Sequence, residues 1–288
     1  MNPDLTALGI DIGGSRVRVA LVTPTGDVLA RVAGALPADG DPAPLSELVA
    51  QLCRRLRTHA HRRPVAVGVG LPGIFNRRTG VVQRAVNLPK LEGVNVRRLL
   101  QDALGLRVLL DTDVNAAGWA QWRRFSPQPR RFIYLTLGTG VGGCVILNGR
   151  IVRHTHDGPG HLGFLIVDTA DDAPVDGAGV RGSLSALVCG PALQAAAEPD
   201  GSLPAAVLAP TAVALARGCL QLAHLYAPDV IALGGGVIDH HPELVDGAWQ
   251  AFARYRSSLT PPDLRIARAP LPGDDAGVIG AALLALRA

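Results

Sequence analysis

The chain is poor in lysine, methionine and aromatic side chains. Lys90 is the one lysine among 28 basic residues, Met1 is the one methionine, and Phe, Trp and Tyr make up 4% of 288 residues. The arginines come in ones and twos, as at Arg54-Arg55, Arg62-Arg63, Arg97-Arg98 and Arg123-Arg124, with no long basic run. Such pairs read as solvated helix faces, so the net charge of +4 does not imply a nucleic-acid partner. No run of 18 or more apolar residues occurs, and no membrane span is expected. Met1 to Arg16 lacks the basic start and long apolar stretch of a signal peptide, which points to the cytoplasm. The four cysteines, Cys53, Cys144, Cys189 and Cys219, lie too far apart for metal-ligand spacing. They read as reduced core residues, Cys144 included.

What is plentiful is glycine and proline, 34 and 22 residues spread along the chain, against 48% hydrophobic residues. That composition gives a sizeable core with many tight turns, in one or two domains. Apolar runs predict strands at Thr6–Asp11, Arg16–Thr23 and Asp27–Ala33, the last two joined as a hairpin, and at Pro64–Val69 and Arg107–Leu110. Helical spacing predicts helices at Leu45–His59, Val94–Leu104 and Val114–Phe125. After the polar segment Ser126–Arg131, a candidate joint, the plan recurs: strand Phe132–Leu137, a glycine turn, then strands Gly142–Leu147 and Ile151–Arg153. Asp171–Gly182 reads as a polar loop, Thr211–Tyr226 as an amphipathic helix, Val230–Leu233 as a buried strand and Gly277–Leu286 as a small-residue helix. Strands and helices alternate throughout, so the class is α/β.

Three apolar strands end in glycine turns: Asp11-Ile12-Gly13-Gly14-Ser15, Leu137-Gly138-Thr139-Gly140-Val141-Gly142-Gly143 and Leu233-Gly234-Gly235-Gly236. Glycine lets backbone N–H groups approach a phosphate closely. Any one such turn could be a plain hairpin; three after buried strands point to phosphate binding. None carries the lysine of a P-loop or the spacing of a dinucleotide fingerprint. Asp113, between a strand and a helix, can face a cleft and accept a hydroxyl proton, or can merely cap the helix that follows.

These segments resemble the ROK family of bacterial sugar kinases and regulators, in the actin-like ATPase superfamily. Leu8–Ser15 is similar to the family's first phosphate motif, and Val69-Gly70-Leu71-Pro72-Gly73 and Asn87-Leu88-Pro89 to its sugar-side loops. Asp113–Ala117 is similar to its catalytic segment, Leu135–Gly143 to its second phosphate motif, Pro228–Val237 to its adenosine motif and Ala276–Ala282 to its C-terminal helix. The resemblance implies two actin-like (ribonuclease H-like) α/β domains around a nucleotide cleft, residues 1–118 with 275–288 and residues 119–274. It implies ATP and Mg²⁺, a small-molecule polyol acceptor and a homodimer. Asp113 becomes the catalytic base, with Asp111 and Asn115 as supports. Asp11 orients Mg²⁺ or its water shell. Gly13, Gly14 and Ser15 meet the terminal phosphates, Gly138, Thr139 and Gly140 hold phosphates from the second domain, and Gly234, Gly235 and Gly236 lie beside the adenosine. Gly70, Asn87, Thr112, Asp113, Gly138, His161, Phe164 and Ser185 fall at acceptor positions.

The chain also departs from the family. Where sugar-phosphorylating members carry Gly-Glu-x-Gly-His, it reads Gly160-His161-Leu162-Gly163-Phe164. Their zinc cluster, Cys-x-Cys-Gly-x-x-Gly-Cys followed by a glutamate, is replaced by Gly179-Val180-Arg181-Gly182-Ser183-Leu184-Ser185. No structural zinc is expected, and the asparagine before the catalytic aspartate is Thr112. His154, His156 and His161 have no carboxylate or cysteine at fitting spacing and read as satisfied or solvated. The expected activity is transfer of the γ-phosphoryl group of ATP to a non-glucose acceptor, a C7-cyclitol or a modified sugar. A metabolite-sensing pseudokinase and an ordinary hexose kinase stay open as alternatives. A DNA-binding repressor is not expected, because the first phosphate motif starts within the first dozen residues.

Overall fold

The computed structural model describes residues 5–57, 63–153 and 161–287. In chain order these form β1 (Thr6–Ile12), β2 (Arg16–Val22), β3 (Val28–Ala35), α1 (Pro42–Arg57), β4 (Pro64–Leu71), β5 (Ile74–Phe75), β6 (Val82–Arg84), α2 (Val96–Leu104), β7 (Val108–Thr112) and α3 (Asp113–Arg124). There follow β8 (Arg131–Leu137), β9 (Val141–Leu147), β10 (Arg150–Ile151), α4 (Leu184–Val188), α5 (Gly190–Gln194), α6 (Ala205–Tyr226), β11 (Val230–Gly234), α7 (Gly236–His240), α8 (Glu243–Ala253), β12 (Arg265–Arg268) and α9 (Gly273–Arg287).

The chain divides into two compact units. The first holds Met1–Ala120 and Asp275–Ala288, with Arg153; the second holds Gln121–Val152 and Gly160–Asp274. The division falls within α3, upstream of the Ser126–Arg131 segment singled out from composition. In the first unit the sheet order is β3-β2-β1-β4-β7. Its β1, β2 and β3 are antiparallel neighbours, and β4 and β7 run parallel to β1. In the second unit the order is β10-β9-β8-β11-β12, again with an antiparallel set followed by two parallel strands. The repeat suggested by the glycine turns is therefore one topology used twice.

Each unit has its own core. Leu8, Ile10, Val67, Val69 and Phe75 are buried in the first, and Ile133, Leu135, Ile231, Leu233 and Phe252 in the second. The central strand β1 is buried along its whole length, as a strand covered on both faces must be. Local chemistry fixes several ends. The Asn95 side chain accepts the Arg98 N–H at the start of α2, and Gly105, at φ 63°, ends that helix in the left-handed conformation.

Helix α6 begins at Ala205, six residues before the expected start, because the chain stays helical through Pro210. A proline in the second turn removes one backbone donor there without ending the helix. Among the described residues it is the one helix long and apolar enough to cross a membrane by length and composition. Its inner face, including Leu215, Cys219 and Leu222, is part of the second unit's core.

Helix α9 packs directly on backbone in the first unit. A Cβ on Gly9 or Gly68 would lie 1.8 Å from the carbonyl oxygens of Val278 and Ala281, and one on Gly280 would lie 1.6 Å from that of Ala116. Backbone cannot yield as a flexible side chain does, so overpacking here costs about 1–3 kcal/mol or more. Gly68→Ala and Gly280→Ala should each lower the urea midpoint at unchanged slope. An unaltered midpoint in both would contradict this packing.

Candidate active site

In the first unit, Asp11 is the penultimate residue of β1, and the turn closes with Gly13 N–H donating to Arg16 O at 2.9 Å. Asp11 is 9% exposed, and its Oδ2 lies 3.5 Å from the Arg18 guanidinium. Two glycines box its carboxylate. A Cβ on Gly277 of α9 would sit 2.8 Å from Asp11 Cγ, and one on Gly70 would sit 3.6 Å from Asp11 Oδ1 and 3.2 Å from Asp113 Cα. Gly70, at the end of β4, thus brings Asp11 and Asp113 to one place. Asn87 is exposed, and a Cβ on Gly14 would lie 3.8 Å from its side chain. Gly70 and Asn87 are therefore placed on the same unit as Asp113 and the first glycine turn.

Asp113 is not the helix cap. The Thr112 hydroxyl accepts the Asn115 N–H at 3.2 Å, and Asp113 is the first residue of α3, its Oδ1 accepting the Val114 N–H at 2.8 Å. Thr112, expected among the acceptor contacts, is 1% exposed, and its hydroxyl caps α3. Desolvation raises the pKa of Asp113, outweighing the backbone N–H bonds that lower it.

A buried polar network centres on Asp111, which is 1% exposed. Its Oδ1 accepts the Thr112 N–H and Asn115 Nδ2, each at 2.9 Å. Its Oδ2 accepts Arg153 at 2.5 Å and faces Arg77 at 3.4 Å. Arg97 in turn donates to the carbonyls of Arg77 and Arg78, fixing the turn that carries Arg77. A carboxylate this deep requires charged partners. Sequence reasoning found Asp111 and Asn115 but not Arg77 or Arg153, since nothing local marks which arginines pair with which acid. Asp111→Asn leaves two guanidiniums facing a neutral amide. We expect a stability loss near the low end of the about 3–5 kcal/mol range for broken buried pairs, because both arginines keep some solvent. Equilibrium denaturation measures it, and a loss under about 1 kcal/mol would be the unexpected result.

In the second unit, the loop between β8 and β9 is held from several sides. Gly138 N–H donates to Gly140 O at 2.9 Å, Gly190 N–H donates to Gly138 O at 2.6 Å, and the Ser185 hydroxyl accepts the Val141 N–H at 3.2 Å. Thr139 stands exposed at the tip. After β11, Gly235 has φ 88°, and a Cβ there would lie 2.6 Å from Leu137 O and from Thr136 Oγ1. Conformation and space both require glycine at that position. Gly234 packs on the buried Tyr134 ring, while Gly236 opens α7 with free space at its Cα.

His161 and Phe164 stack with ring centroids 5.4 Å apart, and Phe164 is 39% exposed. Ser185 is 8% exposed and turned toward Val141, so its hydroxyl supports the loop. His154 and His156 lie outside the described residues. Among the described residues, no group of three or more His, Cys, Asp or Glu side chains could hold a metal ion. A Mg²⁺ held largely by water and substrate phosphates needs only one or two carboxylates, and Asp11 fits that requirement.

The sequence pattern of the ROK family matches residues 7–288. An N-acetylmannosamine kinase from Citrobacter koseri is 30% identical over 300 residues, covering 98% of this chain and 99% of that protein. The ROK hexokinase of Thermus thermophilus superposes with a TM-score of 0.82 at 29% identity, covering 98% of each chain. The Streptomyces griseus ROK glucokinase, solved with glucose and AMPPNP, gives a TM-score of 0.84 over 98% of this chain and 100% of that one. At 24% identity that second likeness speaks for the fold alone. With its α/β units on the actin-like ATPase plan and its pattern matched almost from end to end, the chain belongs to the ROK family.

Proposed function

We propose that the protein is an ATP-dependent kinase that phosphorylates a hydroxyl of a sugar-like polyol, with Asp113 as general base. The observation that carries this reading is the N-terminus of α3. Thr112 caps the helix, which leaves Asp113 with a desolvated carboxylate beside Gly70 and Asp11. Its Oδ1 is engaged by Val114, and Oδ2 receives the hydroxyl proton. The acceptor oxygen bonds to the γ-phosphorus as the bond to the β–γ bridging oxygen breaks and ADP leaves. Asp11 would hold Mg²⁺ through its water shell; when bound, the ion offsets the phosphate charge. Gly14 and Ser15 on the first unit, and Thr139 and Gly140 on the second, offer backbone N–H groups to the phosphates, while the N–H groups of Gly13 and Gly138 close their own turns. Gly234, Gly235 and Gly236 lie beside the adenosine. Family membership and the kinases named above support this reading.

Asp113→Asn keeps the shape and removes the base, so turnover should fall about 10²–10⁴-fold while AMPPNP binding persists. Near wild-type turnover would refute the assignment. The raised pKa fixes the sign of the pH effect. Activity needs the carboxylate, so kcat/KM should fall as pH drops through a value above the ordinary aspartate range of about 4. The same shift means that the ionised group weakens the fold at neutral pH, so Asp113→Asn should also raise Tm. An acid limb in the ordinary range, with Tm unchanged, would contradict the desolvation argument.

The acceptor reading is a polyol other than glucose: an N-acylated or otherwise modified sugar, or a C7-cyclitol. The support is chemical. Phe164 presents an apolar ring where the family has histidine, His161 replaces a glutamate, and the Ser185 hydroxyl is engaged by Val141. Each unmatched polar contact costs about 1–3 kcal/mol, so glucose should show kcat/KM at least about 100-fold below the best acceptor among N-acetylmannosamine, glucose and a valiolone-type cyclitol. Efficient glucose phosphorylation would refute it. A non-turning metabolite sensor is the competing reading, favoured by the internal roles of Thr112 and Ser185. It predicts binding of one of these polyols with no ADP release.

A further inference from the structure

Residues 179–185, the stretch that the resemblance sets against the family's zinc cluster, close a loop that begins at Asp171, and residues 171–185 contain neither cysteine nor histidine. The loop does not fit zinc. It is nonetheless closed, and its closure converges on one side chain. Asp176 Oδ1 accepts the N–H groups of Ala178 at 2.8 Å and Val180 at 2.9 Å. Asp176 Oδ2 accepts the Ser183 hydroxyl at 2.6 Å. Around this hub, Val175 bridges Arg181, Arg181 donates to Ala173 O at 2.7 Å, and Gly182 N–H donates to Pro174 O at 2.8 Å. Gly182, at φ 64°, packs on the Asp168 carbonyl, where a Cβ would come within 1.8 Å.

The hub leads to the phosphate loop in three steps. Ser183 is fully buried, donates to Asp176 and accepts the Ala186 N–H at 3.1 Å as the cap of α4. Ser185 lies two residues on, in the first turn of that helix, and its hydroxyl accepts the Val141 N–H at the end of the Gly138-Thr139-Gly140 loop. A helix of five residues has little stability of its own, so its cap governs where it sits. We propose that Asp176 is a positioning residue for the Gly138–Val141 loop, acting through Ser183 and Ser185. Partial desolvation opposes the charge on Asp176, but the Ser183 hydroxyl and the surrounding N–H groups prevail and hold its pKa below the usual carboxylate value.

The proposal rests on the nucleotide role assigned above to the Gly138–Val141 loop, so the test has one readout that needs nucleotide and one that does not. The first compares AMPPNP affinity, KM for ATP and KM for the acceptor in wild type, Asp176→Ala, Asp176→Asn, Ser185→Ala and the Asp176→Ala/Ser185→Ala double variant. Asp176→Ala should weaken AMPPNP binding and raise KM for ATP about 5- to 30-fold, with acceptor KM changed less than about twofold. Asp176→Asn, which keeps an oxygen for Ser183, should fall between it and wild type and serves if Asp176→Ala fails to fold. The double variant should be no worse than the more impaired single one, because both changes act on one path. An unchanged KM for ATP, or additive losses, would overturn the link. The second readout is amide hydrogen exchange at Val141. It should quicken in Asp176→Ala and Asp176→Asn and stay unchanged when wild type is treated with a zinc chelator. Unchanged exchange in both variants, or loss of protection on chelation, would also overturn it. If wild type binds no AMPPNP while Val141 exchange responds as expected, the nucleotide reading fails and the positioning link stands.

Discussion

Helix α9 lies on β1, β4 and α3 at a distance that only hydrogen at Cα allows, and both carboxylates of the candidate site depend on that approach. Gly9, Gly68 and Gly280 each place a missing Cβ within 2 Å of a facing carbonyl oxygen. Gly277 makes the same allowance for Asp11, and Gly70 allows Asp11 and Asp113 to share one edge. Residues Ala276 to Ala285 of α9 are all buried, so small apolar side chains fill what the glycines leave. Much dispersion contact is gained over little depth, and strand ends so tightly covered keep fixed positions. An acid at the end of β1 and another at the start of α3 therefore inherit a rigid support.

The second unit repeats the strand order of the first but secures its loop differently. Its glycine loop after β8 is held by donors and acceptors from the ends of two short helices, Ser185 on α4 and Gly190 at the start of α5. Close backbone approach supports the site carboxylates of the first unit, and directed hydrogen bonds hold the Gly138–Val141 loop of the second. The second kind is more exposed to single substitutions, because each bond has an identifiable donor and acceptor.

The parts of this molecule legible in the sequence were those encoded locally. The strands β1, β8 and β11 stood out as apolar runs ending in glycine, and their turns are where the pattern put them. Short elements escaped: β12 has four residues with arginine at both ends, and the five residues of α4 are too few to show a period. Helix α8 carried a readable stripe at Leu244, Val245, Ala248 and Phe252 but was passed over. At the site, Asp113 stood out through its motif, whereas the capping bond of Thr112 was not read from the sequence. A hydroxyl three residues before Asn115 is a capping signal as much as a ligand signal. The partners of Asp111 lie 34 and 42 residues away in sequence, and no local pattern records such pairings.

The covering of β1 and β4 by α9 also sets an order of assembly during synthesis. Translation delivers β1 well before α9, with nearly the whole second unit between them. Residues 160–274 and most of 121–152 can settle as they emerge from the ribosome, because their sheet and helices are contiguous in the chain. The first unit has to wait with the glycine-bearing faces of its central strands uncovered until α9 arrives. The unit translated first is thus the unit completed last, and a nascent chain halted before α9 exposes bare strand backbone to whatever chaperone or neighbouring chain is at hand.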